Sequence, residues 1–329
     1  MKDRVEAFSG RFQALGAEVG KVVVGQTGMV NEVLMALVAG GHVLLEGVPG
    51  LGKTLLVKTL GQCLDMSFAR IQFTPDLMPA DISGTNLVED TPTGRAFRFS
   101  PGPIFAHLVL ADEVNRATPK TQSALLEAMA ERHVTVMGTT HKLPDPFFVM
   151  ATQNPIEMEG TYPLPEAQVD RFFFKVWVEF PNLVEMMEIL DRTTGTATSE
   201  VKPLCDPAEL LEMNRLCREV VASGPVKEYA ARLILATHPE RPDSPPDVKR
   251  YLRFGASPRG AQSLLMAAKV RALTQGRFNL AFEDIQAVAL PALRHRLILS
   301  FEAEAEGFKA DTLLQKLIAE LPTGAALTA

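Results

Sequence analysis

The residues Gly47-Val48-Pro49-Gly50-Leu51-Gly52-Lys53-Thr54 fit the spacing G-x-x-x-x-G-K-[ST]. Glycines at these positions let the chain curl until successive backbone N–H groups converge on phosphate oxygens. A helix directly after the motif would add the partial positive charge of its N-terminus at the same spot. Lys53 would then reach the terminal phosphates and Thr54 would offer a hydroxyl to Mg2+, with Leu55 next on the helix. The plain alternative is a glycine turn with a solvated lysine. An apolar run just before the motif and a helical pattern just after it count against that alternative.

A second acidic element complements the first. Leu108-Val109-Leu110-Ala111-Asp112-Glu113 is an apolar run that ends in two adjacent carboxylates. Parallel sheets bind ligands at the carboxyl ends of their strands. Asp112 is suited to hold Mg2+ through water, and Glu113 to orient or deprotonate an attacking water. Solvated acids are the commoner reading of such a run alone; the glycine-rich loop shifts the balance toward phosphate chemistry.

These groups need a scaffold, and the pattern of the chain supplies one. Strands are expected at 42–46, 68–73, 108–111, 147–152 and 172–178. Several are continuous apolar runs, as strands buried on both faces require. Helical patterns lie between them at 54–64 and 119–131, the latter with Thr118 as N-cap and Pro119 first in the helix. Strand–helix alternation predicts an α/β core with a parallel sheet and helices on both faces. Two hairpin inserts, near 84–100 and 133–143, interrupt it and are candidate partner contacts. Beyond Pro181 the strand signal fades. Residues 192–203 read as a loop, and helices are expected at 207–221, 226–237, 258–274, 283–289 and 310–320. The expected division is a nucleotide-binding core over 1–181 and a smaller all-helical domain over 182–329.

Composition sets outer bounds. With 329 residues, 47% hydrophobic and 22% charged, the chain is neither a disordered tail, a coiled-coil rod nor a collagen-like fibre. Its length suits about two domains. Three cysteines, at 63, 205 and 217, cannot build a disulfide framework, and a reducing cytoplasm is the expected compartment. No secretory signal or membrane span is expected. The formal charge of −6 argues against a nucleic-acid coat. The six histidines show no metal-ligand spacing with the cysteines. The basic cluster Lys269, Arg271, Arg277, Arg294 and Arg296 reads as a solvated helix face.

These motifs, in this order, resemble the AAA+ ATPases, and more finely the MoxR family among them. The finer resemblance rests on residues 73–84, 112–117, 144–155, 162–171 and 293–305, and it covers about 23–307. It implies a P-loop core with a helical lid, and it carries over roles residue by residue. Asn154, in Ala151-Thr152-Gln153-Asn154-Pro155, looks like the first sensor that positions the attacking water; the alternative is an asparagine capping the strand. Arg171, after Asp170, resembles the arginine finger that reaches a neighbouring subunit's nucleotide. It could instead be a core partner of Asp170, and Arg116 and Arg132 are weaker finger candidates. Arg259, in Gly255-Ala256-Ser257-Pro258-Arg259, resembles the second sensor, touching phosphate from the lid. An arginine in a first helical turn is otherwise disfavoured by the helix dipole. Val24-Gly25-Gln26 resembles the stretch lining the adenine pocket.

What the resemblance implies is a Mg2+-dependent ATPase that binds ATP, forms a ring with a hexamer as the expected number, and remodels or matures client proteins. A von Willebrand factor A-domain protein is the implied partner. The competing readings are a nucleic-acid-stimulated motor, a nucleotide-gated scaffold, and a magnesium-chelatase-like ATPase subunit.

Overall fold

The computed structural model describes residues 1–48, 50–91, 94–154, 160–195 and 200–323. Pro49, residues 92–93, 155–159, 196–199 and 324–329 lie outside the described residues, and with them parts of the expected glycine-rich run, first hairpin and 192–203 loop. Among the described residues no helix is long and apolar enough to cross a membrane.

The five expected apolar runs become one parallel sheet: β1 (Val43–Glu46), β2 (Phe68–Gln72), β5 (Leu108–Asp112), β8 (Phe148–Gln153) and β9 (Phe174–Trp177), in the order β2-β5-β8-β1-β9. Leu44 pairs with Ala151 on one side and Lys175 on the other, and Gln72 pairs with Asp112. Alternate residues face opposite ways. Val43, Leu45, Leu108, Leu110, Phe148 and Met150 enter one hydrophobic cluster, while Leu44, Val109, Ala111, Val149 and Ala151 enter another. Burial on both faces explains why β1, β5 and β8 read as unbroken apolar runs. Because the strands are parallel, the carboxyl ends of β1, β5 and β8 open side by side on one sheet edge.

The remaining core elements follow from local rules. Helix α1 (Lys2–Gly20) buries Val5, Phe8, Phe12, Leu15 and Val19, and α2 (Thr27–Ala39) precedes β1. Helix α3 (Lys53–Cys63) starts directly at the lysine of the glycine-rich run. A short α4 (Pro79–Ser83) leads into the hairpin β3 (Gly84–Thr91) and β4 (Gly94–Pro101). Helix α5 (Pro119–Glu131) begins at Pro119 as expected, and β6 (His133–Val136) pairs with β7 (Thr139–Lys142) in the second hairpin. The two hairpins touch, Asn86 Nδ2 donating to Met137 Sδ at 3.4 Å. A short α6 (Glu166–Val169) precedes β9.

Past β9 the chain is mainly helical: α7 (Leu183–Thr194), α8 (Pro207–Glu219), α9 (Gly224–Ala236), α10 (Pro246–Tyr251), α11 (Pro258–Thr274), α12 (Phe282–Leu293), α13 (Phe301–Ala305) and α14 (Ala310–Glu320). Three expectations need correction. The 192–203 loop begins later, because α7 runs to Thr194; Asn182 caps it by accepting the Val184 and Glu185 N–H groups. A two-stranded ribbon, β10 (Leu252–Phe254) with β11 (Ile298–Leu299), interrupts the helices. The basic cluster is not a solvated face. Arg271 and Arg277 clamp Asp284, which has no exposure, Arg294 pairs with Asp311, and the Arg296 side chain is 2% exposed.

Helix α1, though first in sequence, packs with α11. Ser9 Oγ donates to Thr274 O at 2.9 Å, and Arg4 pairs with Glu219. One continuous hydrophobic cluster therefore joins α1, α2, α3 and a sheet face to α8, α9, α11, α12 and α14. The helical half is bonded to the sheet half over a broad apolar surface.

Candidate functional site

The glycine-rich run turns sharply at the end of β1. Gly50 and Gly52 sit at φ 85° and 77°, the left-handed region that only glycine adopts cheaply. Gly47 is required for a different reason: a Cβ there would lie 2.8 Å from Val178 Cβ and from Val178 O. The loop thus lies close against the end of β9. Lys53 Nζ donates to Gly47 O at 2.6 Å, closing the curl, and Thr54 and Leu55 follow on the first turn of α3. Burial lowers the Lys53 pKa, opposed by the charges of Asp112, Glu113 and Glu46.

A cleft of about 380 Å³ opens over this loop. Its floor is residues 50–55, and its wall is Asp112, Glu113, Thr152, Gln153, Asn154 and Arg70. The structure brings together every motif expected at the sheet edge. Asp112 is held from two sides, by Arg70 Nη2 at 2.7 Å and by the Thr152 hydroxyl, which donates at 2.7 Å. Glu113 adopts φ 57°, an uncommon conformation for a non-glycine residue that turns its side chain into the cleft. Its N–H donates to Thr152 Oγ1 at 2.8 Å. Its carboxylate accepts from Gln72 Nε2 at 2.9 Å and from Arg116 Nη1 at 3.4 Å. Thr54 and Asp112 offer a hydroxyl and a carboxylate to the same cleft, the hard oxygen donors that suit Mg2+.

The expected arginines lie elsewhere. Arg171 precedes β9 and so sits at the amino edge of the sheet, where Phe173 N–H donates to His42 O at 2.7 Å. Four residues of β9 at about 3.3 Å each separate that edge from the cleft side by roughly 13 Å. Arg171 Nη1 donates to Leu126 O at 2.7 Å. The alternative that Arg171 pairs with Asp170 is not realised: Asp170 is bonded by Arg296, whose Nε lies 2.9 Å from Oδ1. Arg259 is half-exposed, with its Nη1 3.8 Å from Asp170 Oδ2, and it does not line the cleft. Arg132 donates to Phe147 O and Gly40 O, a structural role.

A second cavity of about 450 Å³ lies past the end of β9, lined by Gln26 to Met29, Glu32, Trp177, Phe180 and their neighbours. Gln26 lies in its wall and donates to Glu179 O at 2.6 Å. Val24 is buried, and Gly25 lies under Glu185, whose side chain would sit 2.5 Å from an added Cβ. Burial lifts the Glu32 pKa to about 7 in this cavity.

Sequence reasoning missed Thr152, Arg70 and Gln72. Gln72 carried a signal, since it ends a strand beside the acidic run, but only the β2–β5 register places it opposite Asp112.

A glycine-rich loop after β1 and paired acids after β5 on a parallel sheet, with a helical domain bonded behind, define an AAA+ ATPase. A family model described as the ATPase family associated with various cellular activities (AAA) matches residues 42–174, and one described as the AAA lid domain matches 246–317. The chain belongs to the MoxR family of these ATPases. It is 43% identical to Chaperone MoxR1 of Mycobacterium tuberculosis, over 92% of this chain and 79% of that protein. It is 32% identical to Protein MoxR of Paracoccus denitrificans, over 99% and 100% of the two chains. A solved structure from Cytophaga hutchinsonii superposes with a TM-score of 0.90 at 41% identity, covering 97% of each chain.

Proposed function

We propose that this chain hydrolyses ATP within a ring of its own copies, each completing the next one's site, and that the ring remodels client proteins. One observation carries the reading. Arg171 and the preceding Asp170, which Arg259 approaches at 3.8 Å, lie at the sheet edge opposite the cleft holding the chain's own loop and acids. An arginine side chain cannot span the ~13 Å strand length between them. A neighbour's cleft is the natural target.

In this reading Lys53 and the backbone N–H groups around Gly50 to Leu55 bind the β- and γ-phosphates. Thr54 and Asp112 would hold Mg2+, which supplies neutralising charge on the phosphates when bound. Glu113 orients water in line with the γ-phosphate and accepts its proton, and Asn154 fixes the same water from β8. Gln72 and Arg116 hold the Glu113 carboxylate before the water arrives. Arg171 and Arg259 of the adjacent copy stabilise the charge that develops in transfer. The base lies toward Val24, Gly25 and Gln26, with the 450 Å³ cavity beside it.

Client contact is assigned to the hairpins, which expose Leu87, Val88, Phe97 and Met137; a von Willebrand factor A-domain protein is the proposed partner. The functional division falls near residue 181. Three buried cysteines, none in a disulfide, suit a reducing cytoplasm. The test is native mass and turnover. Arg171→Ala should bind ATP yet hydrolyse slowly, and mixing it with Glu113→Gln should restore turnover at mixed interfaces. A monomeric wild type with full turnover would overturn the ring.

A further inference from the structure

Arg296 is the most heavily bonded side chain joining the two halves. It leaves the end of α12 and enters the sheet's amino edge almost without exposure. Its Nε donates to Asp170 Oδ1 at 2.9 Å, and its Nη2 to Asp170 O at 2.9 Å and Phe172 O at 2.7 Å. Its Nη1 reaches Phe173 O at 3.3 Å and also bonds Ala292 O. A third tie to Nη2 comes from Ser263 on α11, at 3.1 Å. All five N–H donors are used, which lets a buried guanidinium keep its charge.

Asp170 is the acid that balances it, and it is also the meeting point of two further elements. Both its carboxylate oxygens lie 2.9 Å from the Ser257 hydroxyl, which donates there while accepting the Arg259 N–H at 3.1 Å. Ser257 caps α11, so the turn that carries Arg259 is fixed to Asp170 at its first residue. Arg171 is the next residue along the chain. Gly260 completes the fit: a Cβ there would lie 3.0 Å from Arg296 Cδ, so α11 lies close over the buried guanidinium. Neighbouring ties brace the same segment, with His295 Nε2 donating to Phe172 O at 3.0 Å and Arg253 pairing with Glu166.

We propose that Asp170, anchored by Arg296, is a positioning residue. It holds Arg171 from the sheet half and Arg259 from the helical half as one fixed pair, aimed at the nucleotide of an adjacent copy. This rests on the ring reading above. The two arginines arise from different elements, 88 positions apart, and Asp170 adjoins one in the chain while accepting from the Ser257 cap of the helix that carries the other. A carboxylate beside them also offers Arg259 a resting partner at 3.8 Å when no phosphate faces it.

The test uses full-length protein. Asp170→Asn should lower kcat about 10- to 100-fold through misaimed arginines while leaving the KM for ATP within about twofold, because the variant's own loop and acids are intact. Mixed with Glu113→Gln, it should regain turnover, since the partner brings correctly aimed arginines to a working cleft. Ser257→Ala removes one tie without stranding the Arg296 charge, and it carries the same two readouts if Asp170→Asn fails to fold. A variant that folds and keeps wild-type kcat while Arg171→Ala is inactive overturns the inference and leaves the ring reading standing. Lost kcat with no recovery on mixing, where Arg171→Ala does recover, also overturns it, because the defect then lies in the variant's own fold. If Arg171→Ala itself retains wild-type turnover, the ring reading falls, and the inference falls with it.

Discussion

Thr152 bonds both acids of the cleft, and replacing it with valine isolates its hydroxyl. Valine has nearly the same shape, so the 1%-exposed site keeps its packing and no cavity forms. What is lost is the donor to Asp112 Oδ1 and the acceptor for Glu113 N–H. A stranded backbone N–H costs about 1–3 kcal/mol, and a lost bond to a carboxylate a similar amount. Asp112 keeps Arg70, so the second cost falls at the low end. The expected sum is about 2–4 kcal/mol of stability. The functional loss should be larger in proportion. The uncommon backbone conformation of Glu113 rests on that bond and on its C=O accepting the Arg116 N–H at 2.9 Å, and a shift of its carboxylate by about 1 Å can cost on the order of 100-fold in kcat. The assay is paired: denaturant unfolding and steady-state ATP turnover for wild type, Thr152→Val and Thr152→Ser. Serine keeps the hydroxyl and should stay close to wild type in turnover. A valine variant with wild-type kcat would refute the claim that Thr152 sets the acids.

Other outcomes follow from the same contacts. Gly47→Ala should weaken ATP binding strongly while preserving helix content, because its Cβ collides with Val178; titration with a fluorescent nucleotide checks it. Asp284→Asn should destabilise the helical half by about 3 kcal/mol in urea unfolding, because it leaves Arg271 and Arg277 facing a neutral group. Burial pulls the His42 pKa from the ordinary 6.5 down to about 3, with Arg132 adding to it. The unfolded chain therefore binds the extra proton between those values, and the stability His42 contributes is whole above pH 6.5 and lost as pH falls toward 3. Between pH 7 and 5 the loss should approach about 2 kcal/mol, and His42→Gln should show a shallower decline over that range.

Local signals carried much of the fold. The strands of the sheet announced themselves as apolar runs, and α11 and α14 begin and end where Pro258 and Ala310 led the pattern to place them. Helix α1 was not among the expected elements, although its signal was present: Val5, Phe8, Phe12, Leu15 and Val19 repeat every three or four residues. Its partner α11 lies more than 200 residues away, and a charged N-terminal stretch hides that relation. The loop, the acids and Asn154 were readable because each motif is contiguous. Thr152 was not, because its role depends on β8 lying beside β5, a register no local pattern states. The basic cluster failed for a related reason. Arg296 looks solvated among its neighbours until Asp170, 126 residues earlier, is placed against it. Charges that find distant partners are invisible to local pattern.

The central claim is that this cleft hydrolyses ATP with Glu113 acting on water. Glu113→Gln keeps the size of the side chain and the bond from Gln72 while removing the base. Turnover of that variant, measured beside its ATP affinity, tests the claim most directly. The account predicts a fall of about 100-fold or more in kcat with nucleotide binding retained. Wild-type turnover in Glu113→Gln would contradict it.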